Sequence, residues 1–530
     1  MFATILLAVS VLGSGYGTSV PVPTRSDVHR TTAPTAAMVA KMRDYMDAYA
    51  RGSAAAPSIK GNSVEAVMAH VAKLRLIPAF ARKLNVSCDY CHTTIPRLNG
   101  TGYKFRAAGF RAPEDIGHES TAKFELGNYF SARVQSRFDV QVTNQPNGAP
   151  VANSVAGKPG ARTTTIAPSF MEATLYPLSG SWGKNFGSFS ELSVSPEDFF
   201  EVENAYIRFV AGKENGFFTS RVGVFHPWEG IGASDRPYSN GRTLFQTAGI
   251  SSSGRSVPYV YQPWGLDQVG AEVGGEWEKV SLRAAVLGGT FMRWEEEANA
   301  FIAFPSQTGP WKGANQAVPG LGKPFNYVSH NRPDFSANLT YLLHEEGGGV
   351  SLLYYHGNIA TPTKCTDGTA IGQVNGAGEV CGVTGSTAAA PFGEAGNTDF
   401  DFTDESAFRN DFDRVGVYAS YPVAKRFFPS VGYQRGRDTK SNGGTFTSSG
   451  AFLEGAYAVT KYAIAGARYD WFHPNTSVNN KQWAFTPYVN IPFQNGFQLI
   501  AEYQRRDFQL APGTYHRQND TFQLRMIFIQ

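Results

Sequence analysis

The sequence predicts a mainly β fold: an antiparallel, membrane-spanning barrel of about sixteen strands over residues 122–530, preceded by a small α-helical segment over 61–121. Three observations carry that expectation. Segments of about ten residues alternate apolar and polar, as a strand with lipid on one face and a lumen on the other requires. The links between these segments alternate short and long. The composition is turn-rich and aromatic, with 56 Gly, 13% Phe, Trp and Tyr, and only 17% charged residues. The slightly negative mean hydropathy excludes a helical membrane bundle. The formal charge of +3 comes with no polybasic tail and no basic-aromatic repeat, so nucleic acid is set aside as a partner.

The chain opens on the apolar run Met1 to Leu12, followed by Gly13, Ser14 and Gly15, and residues 1–17 fit the apolar part of a secretory signal. That run is too short to cross a bilayer as a helix. Residues 18–60 read as a linker rich in Pro, Thr and Ser, with a short helix marked by Met38, Met42 and Met46 at i, i+4, i+8. Val67, Val71 and Leu74 are spaced for one face of a further helix.

Residues 88–92 read Cys-Asp-Tyr-Cys-His. Two thiols separated by two residues reach the two vinyl groups of one haem, and the adjoining imidazole then ligates the iron. Cys88 and Cys91 are expected to carry the thioethers of one covalent haem c, and His92 the proximal iron bond. A zinc site would need a second ligand pair nearby, and a thioredoxin-like pair a βαβ setting; neither is present. The sixth position is open among His118, His70, Met68 and His344, with His118, the nearest downstream, as the first choice for a distal ligand.

The motif sits in a longer pattern: Pro78-Ala79-Phe80-Ala81-Arg82-Lys83, the C-x-x-C-H stretch, Pro96-Arg97-Leu98-Asn99 and Gly102-Tyr103-Lys104-Phe105-Arg106. Over residues 78–113 this resembles the monohaem segment that opens the fused cytochrome-porins of bacterial outer membranes, a group that includes iron-oxidising cytochromes. The resemblance implies export, a haem segment at or inside the periplasmic mouth of an outer-membrane barrel, and a periplasmic electron carrier as partner. It also implies an extracellular electron donor or acceptor, Fe(II) among the candidates, with outer-membrane lipid around the barrel. The expected work is electron transfer across the membrane. A diffusion porin with the haem segment as plug or sensor is the alternative, and a haem peroxidase a third reading.

The barrel strands are read from alternation. Phe130, Ala132, Val134, Phe138 and Val140 stand against Arg133, Gln135, Arg137 and Asp139; Phe335, Leu339 and Tyr341 against Ser336, Asn338 and Thr340; and Phe522, Leu524, Met526 and Phe528 against Thr521, Gln523 and Arg525. Short turns are expected near Ser179-Gly180, Glu214-Asn215, Trp277-Glu278, Glu346-Gly347, Ala424-Lys425, Thr460-Lys461 and Asn495-Gly496. Longer links are expected near 142–165, 226–265, 295–333 and 359–410. Sorting of loop length by side is the periplasmic-against-outside asymmetry of outer-membrane barrels.

Closing the barrel sets its first and last strands side by side. Parity then points Arg133, Arg137, Arg506 and Arg525 into the lumen as a basic ladder, facing haem propionates or an anionic permeant, or else pairing with lumen acids such as Glu502 and Asp139. Cys365 and Cys381 lie in the longest outer link, where a disulfide closing a loop of about 15 residues would stabilise by roughly 3 kcal/mol; two thiols are the other reading. Asp399, Asp401, Asp404, Glu405, Asp411 and Asp413 between aromatics form an acidic segment that could gather a cation or serve as a solvated loop.

Overall fold

The computed structural model describes, with short gaps, residues 79–118, 129–144, 162–194, 201–227, 268–305, 333–373 and 407–529, together with positions 243 and 244. The leader, the linker and the Met38/Met42/Met46 stripe lie outside the described residues. Residues Ala66–Gln530 form one compact unit, so the segment around the C-x-x-C-H motif belongs to the same body as the barrel.

That segment is short-element structure: α1 Ala79–Leu84, the strand pair β1 His92–Thr94 and β2 Arg97–Leu98, α2 Gly100–Ala107, and a single 3-10 turn at Pro113–Asp115. The barrel strands follow: β3 Ser131–Asn144, β4 Arg162–Tyr176, the short β5 Gly180–Trp182, β6 Phe186–Val194, β7 Glu201–Lys213, β8 Gly216–Phe225, β9 Gln268–Trp277 and β10 Val280–Leu287. A separate hairpin, β11 Thr290–Glu295 and β12 Ala300–Pro305, interrupts the series. The barrel resumes with β13 Asp334–His344, β14 Gly348–Pro362, β15 Ala407–Ser420, β16 Phe427–Thr439, β17 Thr445–Thr460, β18 Ala463–His473, β19 Gln482–Pro492, β20 Phe497–Ala511 and β21 Tyr515–Ile529. Every neighbouring pair is antiparallel, and β21 pairs with β3 from Gln518↔Asn144 to Ile529↔Arg133, which closes the ring. Since β5 continues the stave that β4 begins, the closed barrel has sixteen staves.

The outer surface is apolar on all sixteen staves, with Val134, Ile166, Ile207, Val222, Leu282, Leu352, Val415, Leu453 and Phe522 among its exposed positions. The alternate positions are buried and polar: Ser336, Asn338 and Thr340 on β13, Arg468 and Asp470 on β18, Thr486 and Asn490 on β19. An apolar exterior around a polar interior inverts a water-soluble protein and suits a closed sheet in lipid, where every strand N–H and C=O must be bonded within the protein.

One turn differs from the sequence expectation. The link near Ser179-Gly180 is an interruption within a stave. Ser179 donates its hydroxyl to the Ser190 carbonyl and accepts the Ser190 N–H, both at 3.2 Å, so the chain runs on in register and reverses at Gly183 (φ 52°) instead. The other six short turns fall where the alternation places them. At the opposite end four links are long, but β6–β7, β16–β17, β18–β19 and β20–β21 are joined by shorter ones, so length is sorted strictly at one end only.

If the apolar belt lies in a bilayer, Leu453→Arg, set in mid-belt opposite Val431, will cost about 2–4 kcal/mol in urea titration of vesicle-folded protein. A water-facing surface would register a change within about 0.5 kcal/mol.

Candidate functional site

The segment 79–118 seats in the barrel end that carries the short turns. Its own core is three phenylalanines: Phe80 stacks on Phe110 at 4.8 Å, and Phe105 meets both edge-on at 5.4 and 5.9 Å. These rings join Phe189, Tyr206 and Phe225 of the wall, and the apolar cluster continues to Tyr355, Phe412, Tyr418, Phe452 and Phe472 on other staves. The lumen is thus crossed by packed aromatic side chains where parity alone would allow water.

Both ends of α2 are capped, each by a different kind of group. At its N-terminus Asn99 accepts the Gly102 N–H at 2.9 Å. At its C-terminus the carbonyls of Arg106, which also accepts the Gly109 N–H, and Ala107 are met by the barrel wall: Arg208 of β7 donates to both at 3.3 and 3.2 Å, and Thr219 of β8 donates to Ala107 at 3.2 Å. A buried guanidinium also suits the negative end of the helix dipole.

Four further anchors spread around the ring. Arg111 donates to the Phe186 carbonyl at 2.7 Å and to the Lys184 carbonyl. Lys83 donates to Ser181 O and Oγ at 2.9 and 3.0 Å and sits 4.2 Å from the Tyr129 ring centroid. The Gly100 N–H reaches Glu345 O at 2.6 Å in the β13–β14 turn. Arg97 pairs with buried Glu454 of β17 at 2.5 Å, where Tyr488 of β19 also donates at 2.6 Å. Close approach is possible because Gly109 faces Gly187 of β6: a Cβ on Gly187 would fall 2.3 Å from the Gly109 carbonyl oxygen. The segment is a plug, bonded to staves from β5 round to β17.

Within it, Asn99 also holds the C-x-x-C-H stretch. Its Nδ2 donates to Tyr90 O at 3.1 Å and its N–H to Cys91 O at 3.0 Å, while a Cβ on Gly102 would lie 2.2 Å from Cys91 O. Cys91 packs against the phenylalanine cluster beside Phe80 and Leu84. His92 opens β1, opposite Leu98. Cys88 lies outside the described residues, as do His70 and Met68. His118 is exposed, its N–H bonded to Asp115 O at 3.1 Å, next to Gly117, which abuts Gly212 at the β7–β8 turn. His344 lies edge-on to Tyr421 at 5.8 Å at the β13–β14 turn. His92 is tied through Leu98 to that second turn, so it and His118 are anchored at different places on the rim.

The four arginines of the ladder lie on the lumen side of the seam and are engaged with the wall. Arg133 pairs with Glu172 and, at 3.4 Å, with Glu191; Arg137 pairs with Asp139 at 2.5 Å; Arg506 donates to Gln482 at 2.8 Å; Arg525 donates to Gln135. Cys365 is buried and disulfide-bonded, in a turn where the Gly368 N–H reaches its carbonyl at 2.9 Å; Cys381 lies outside the described residues. Asp399, Asp401, Asp404 and Glu405 lie outside them as well. Asp411 accepts from Asn358, and Asp413 from Tyr354. Among the described residues no group of three or more His, Cys, Asp or Glu is placed to hold a metal ion.

The anchors Arg97, Arg111, Arg208, Thr219 and Glu454 were not legible as a set, because each is one polar residue at an inward position or in a short loop. The available signal was a lone Arg208 inside the run Ala205-Tyr-Ile-Arg-Phe-Val-Ala211.

Fold and site together define a plugged, membrane-type β-barrel. Its architecture is similar to that of solved channel barrels. Outer-membrane OmpT of Vibrio cholerae is 10% identical, with 77% of this chain and 99% of that chain covered and a TM-score of 0.42. An anion-selective porin from Comamonas acidovorans is 11% identical over 75% and 100% of the two chains, with a TM-score of 0.41. The outer membrane channel DcaP of Acinetobacter baumannii is 11% identical over 77% and 100%, with a TM-score of 0.40. No family model and no curated protein matches the chain.

Asn99→Ala removes the N-cap and the bond to Tyr90. It is expected to cost about 1 kcal/mol of plug stability, read as faster amide exchange over 88–105 with the barrel staves unchanged. Lys83 gives a pH signature. Burial, with the Arg111 charge adding, pushes it from 10.5 down to about 8. Protonation therefore opposes seating, fully below pH 8 and progressively less as pH rises from 8 toward 10.5. Protection of the plug from protease is expected to rise across that window and to be flattened in Lys83→Met.

Proposed function

We propose that the protein is a channel-class barrel of the bacterial outer membrane whose periplasmic mouth is closed by its own N-terminal segment. The observation that supports this reading is the plug bonded around the short-turn rim, inside a barrel with an apolar belt. Short turns lie on the periplasmic side of such barrels, so the plug faces the periplasm. Opening to solute would require release of Arg97 from Glu454 and of α2 from Arg208.

A second reading rests on the C-x-x-C-H motif. Cys88 and Cys91 would hold one haem c and His92 its iron; the apolar packing of Cys91 and its fixed carbonyl fit that attachment. A haem c so held supplies a one-electron redox centre. The chain's own part would be to fix the loop through Asn99, exclude water with Phe80, Phe105 and Phe110, and keep the mouth closed to solutes while electrons pass. His118, the basic ladder, a Cys365–Cys381 bridge and an extracellular donor or acceptor such as Fe(II) remain proposals within this reading.

One preparation tests both. Full-length protein exported with the haem-attachment machinery is reconstituted into liposomes that enclose an electron acceptor and a small dye. Dye release that grows in Arg97→Ala supports the plugged channel; no release from either protein overturns it. Reduction of the enclosed acceptor by an impermeant external reductant, without dye release, supports electron passage. Absence of a c-type reduced-minus-oxidised spectrum, or an unchanged spectrum in Cys91→Ala, overturns the haem reading.

A further inference from the structure

On the outward face of β16 the residues run Phe427, Pro429, Val431, Tyr433, Arg435, Arg437 from the plugged end upward. At about 3.3 Å per residue and a tilt near 40°, the two arginines stand about 20–25 Å above Phe427, at the upper edge of an apolar belt about 25 Å tall. Other staves change from apolar to polar or charged at a comparable height: Tyr354 is followed by His356 on β14, Tyr503 by Arg505 on β20, and Phe522 by Asp520 on β21. There the polar groups are answered within the wall, His356 by Asp413 at 3.0 Å and Arg505 by Asp520 at 3.2 Å. Arg435 and Arg437 are both exposed, and neither guanidinium makes a hydrogen bond or ion pair with a described residue. Asp413 stands opposite Arg437 in register, but its carboxylate takes its bonds from His356 and Tyr354. On the other side the register sets Ser449 beside Arg435 and Thr447 beside Arg437, but Ser449 is buried and the Thr447 hydroxyl is bonded to that of Thr476, so the two guanidiniums are the exposed polar groups of the patch.

We propose that Arg435 and Arg437 bind a phosphate of a phosphorylated glycolipid headgroup in the outer leaflet. The proposal rests on the outer-membrane reading above. Two adjacent guanidinium forks at the end of an apolar wall suit a ligand that is acyl chain below and phosphate above: the chains cover Val431 and Tyr433, and the phosphate oxygens accept paired N–H bonds. Charge complementarity and height select a lipid over a soluble anion, because an anion free in solution gains nothing from the belt.

The test is native mass spectrometry of the full-length protein released from neutral detergent, loaded with diphosphoryl lipid A, with its dephosphorylated form, or with diphosphoryl lipid A plus excess inorganic phosphate. Wild type is expected to retain the phosphorylated lipid at least tenfold better than the dephosphorylated one, undiminished by inorganic phosphate. R435Q/R437Q is expected to lose that retention about thirtyfold, at about fivefold per charge, and R435K/R437K to keep part of it. Equal retention of the two lipids, competition by inorganic phosphate, or an unchanged R435Q/R437Q variant each overturns the proposal. Protease protection after vesicle insertion is read in parallel. Failure to insert overturns the barrel reading and the proposal with it, whereas insertion without phosphate preference overturns the proposal alone.

Discussion

The pairing of β21 with β3 is the constraint on which everything else depends. A sheet in hydrocarbon cannot leave an edge, because each unbonded N–H or C=O there costs several kcal/mol. Twelve register pairs from Gln518↔Asn144 to Ile529↔Arg133 remove both edges at once. Closure then fixes the circumference, and the circumference fixes which inward side chains can meet across the lumen. Arg208 and Glu454 belong to staves distant in the chain, yet both bond one small segment because the ring holds them around it.

The interior combines two environments that ordinarily separate. Charged pairs such as Arg221–Glu272 at 2.8 Å, Arg414–Asp438 at 2.9 Å and Arg468–Asp470 at 2.8 Å are buried in the wall. Between them Tyr206, Phe225, Tyr355, Phe412 and Phe472 form continuous apolar packing that meets the plug. Buried ion pairs are weak contributors to stability when compared with hydrophobic replacements, but breaking one is costly.

Much of this was legible from residue order. Alternation over 131–141, 335–344 and 482–491 reports the two faces directly, since a period of two follows from the pleat, and it gave about sixteen strands, the apolar belt and the inward arginines of the seam. The interruption at Ser179 was not legible: Ser-Gly and the following Gly183-Lys184-Asn185 are both turn chemistry, and only the cross-strand bonds of Ser179 to Ser190 decide between them. The plug's seat was equally hidden. A C-x-x-C-H motif is local and announces its chemistry, whereas the capping of α2 by Arg208 and Thr219 pairs residues more than a hundred positions apart.

That separation bears on how the molecule is put together. The seat for the plug is assembled from β5 and β6, the β7–β8 hairpin, the β13–β14 turn and the β16–β17 pair, and no part of it can hold residues 79–118 alone. It comes into being only when staves from both halves of the chain stand in register, after most of the polypeptide has been threaded into place. The first described segment of the chain is therefore among the last to find its position. A barrel whose mouth is stopped has, by that fact, already finished folding.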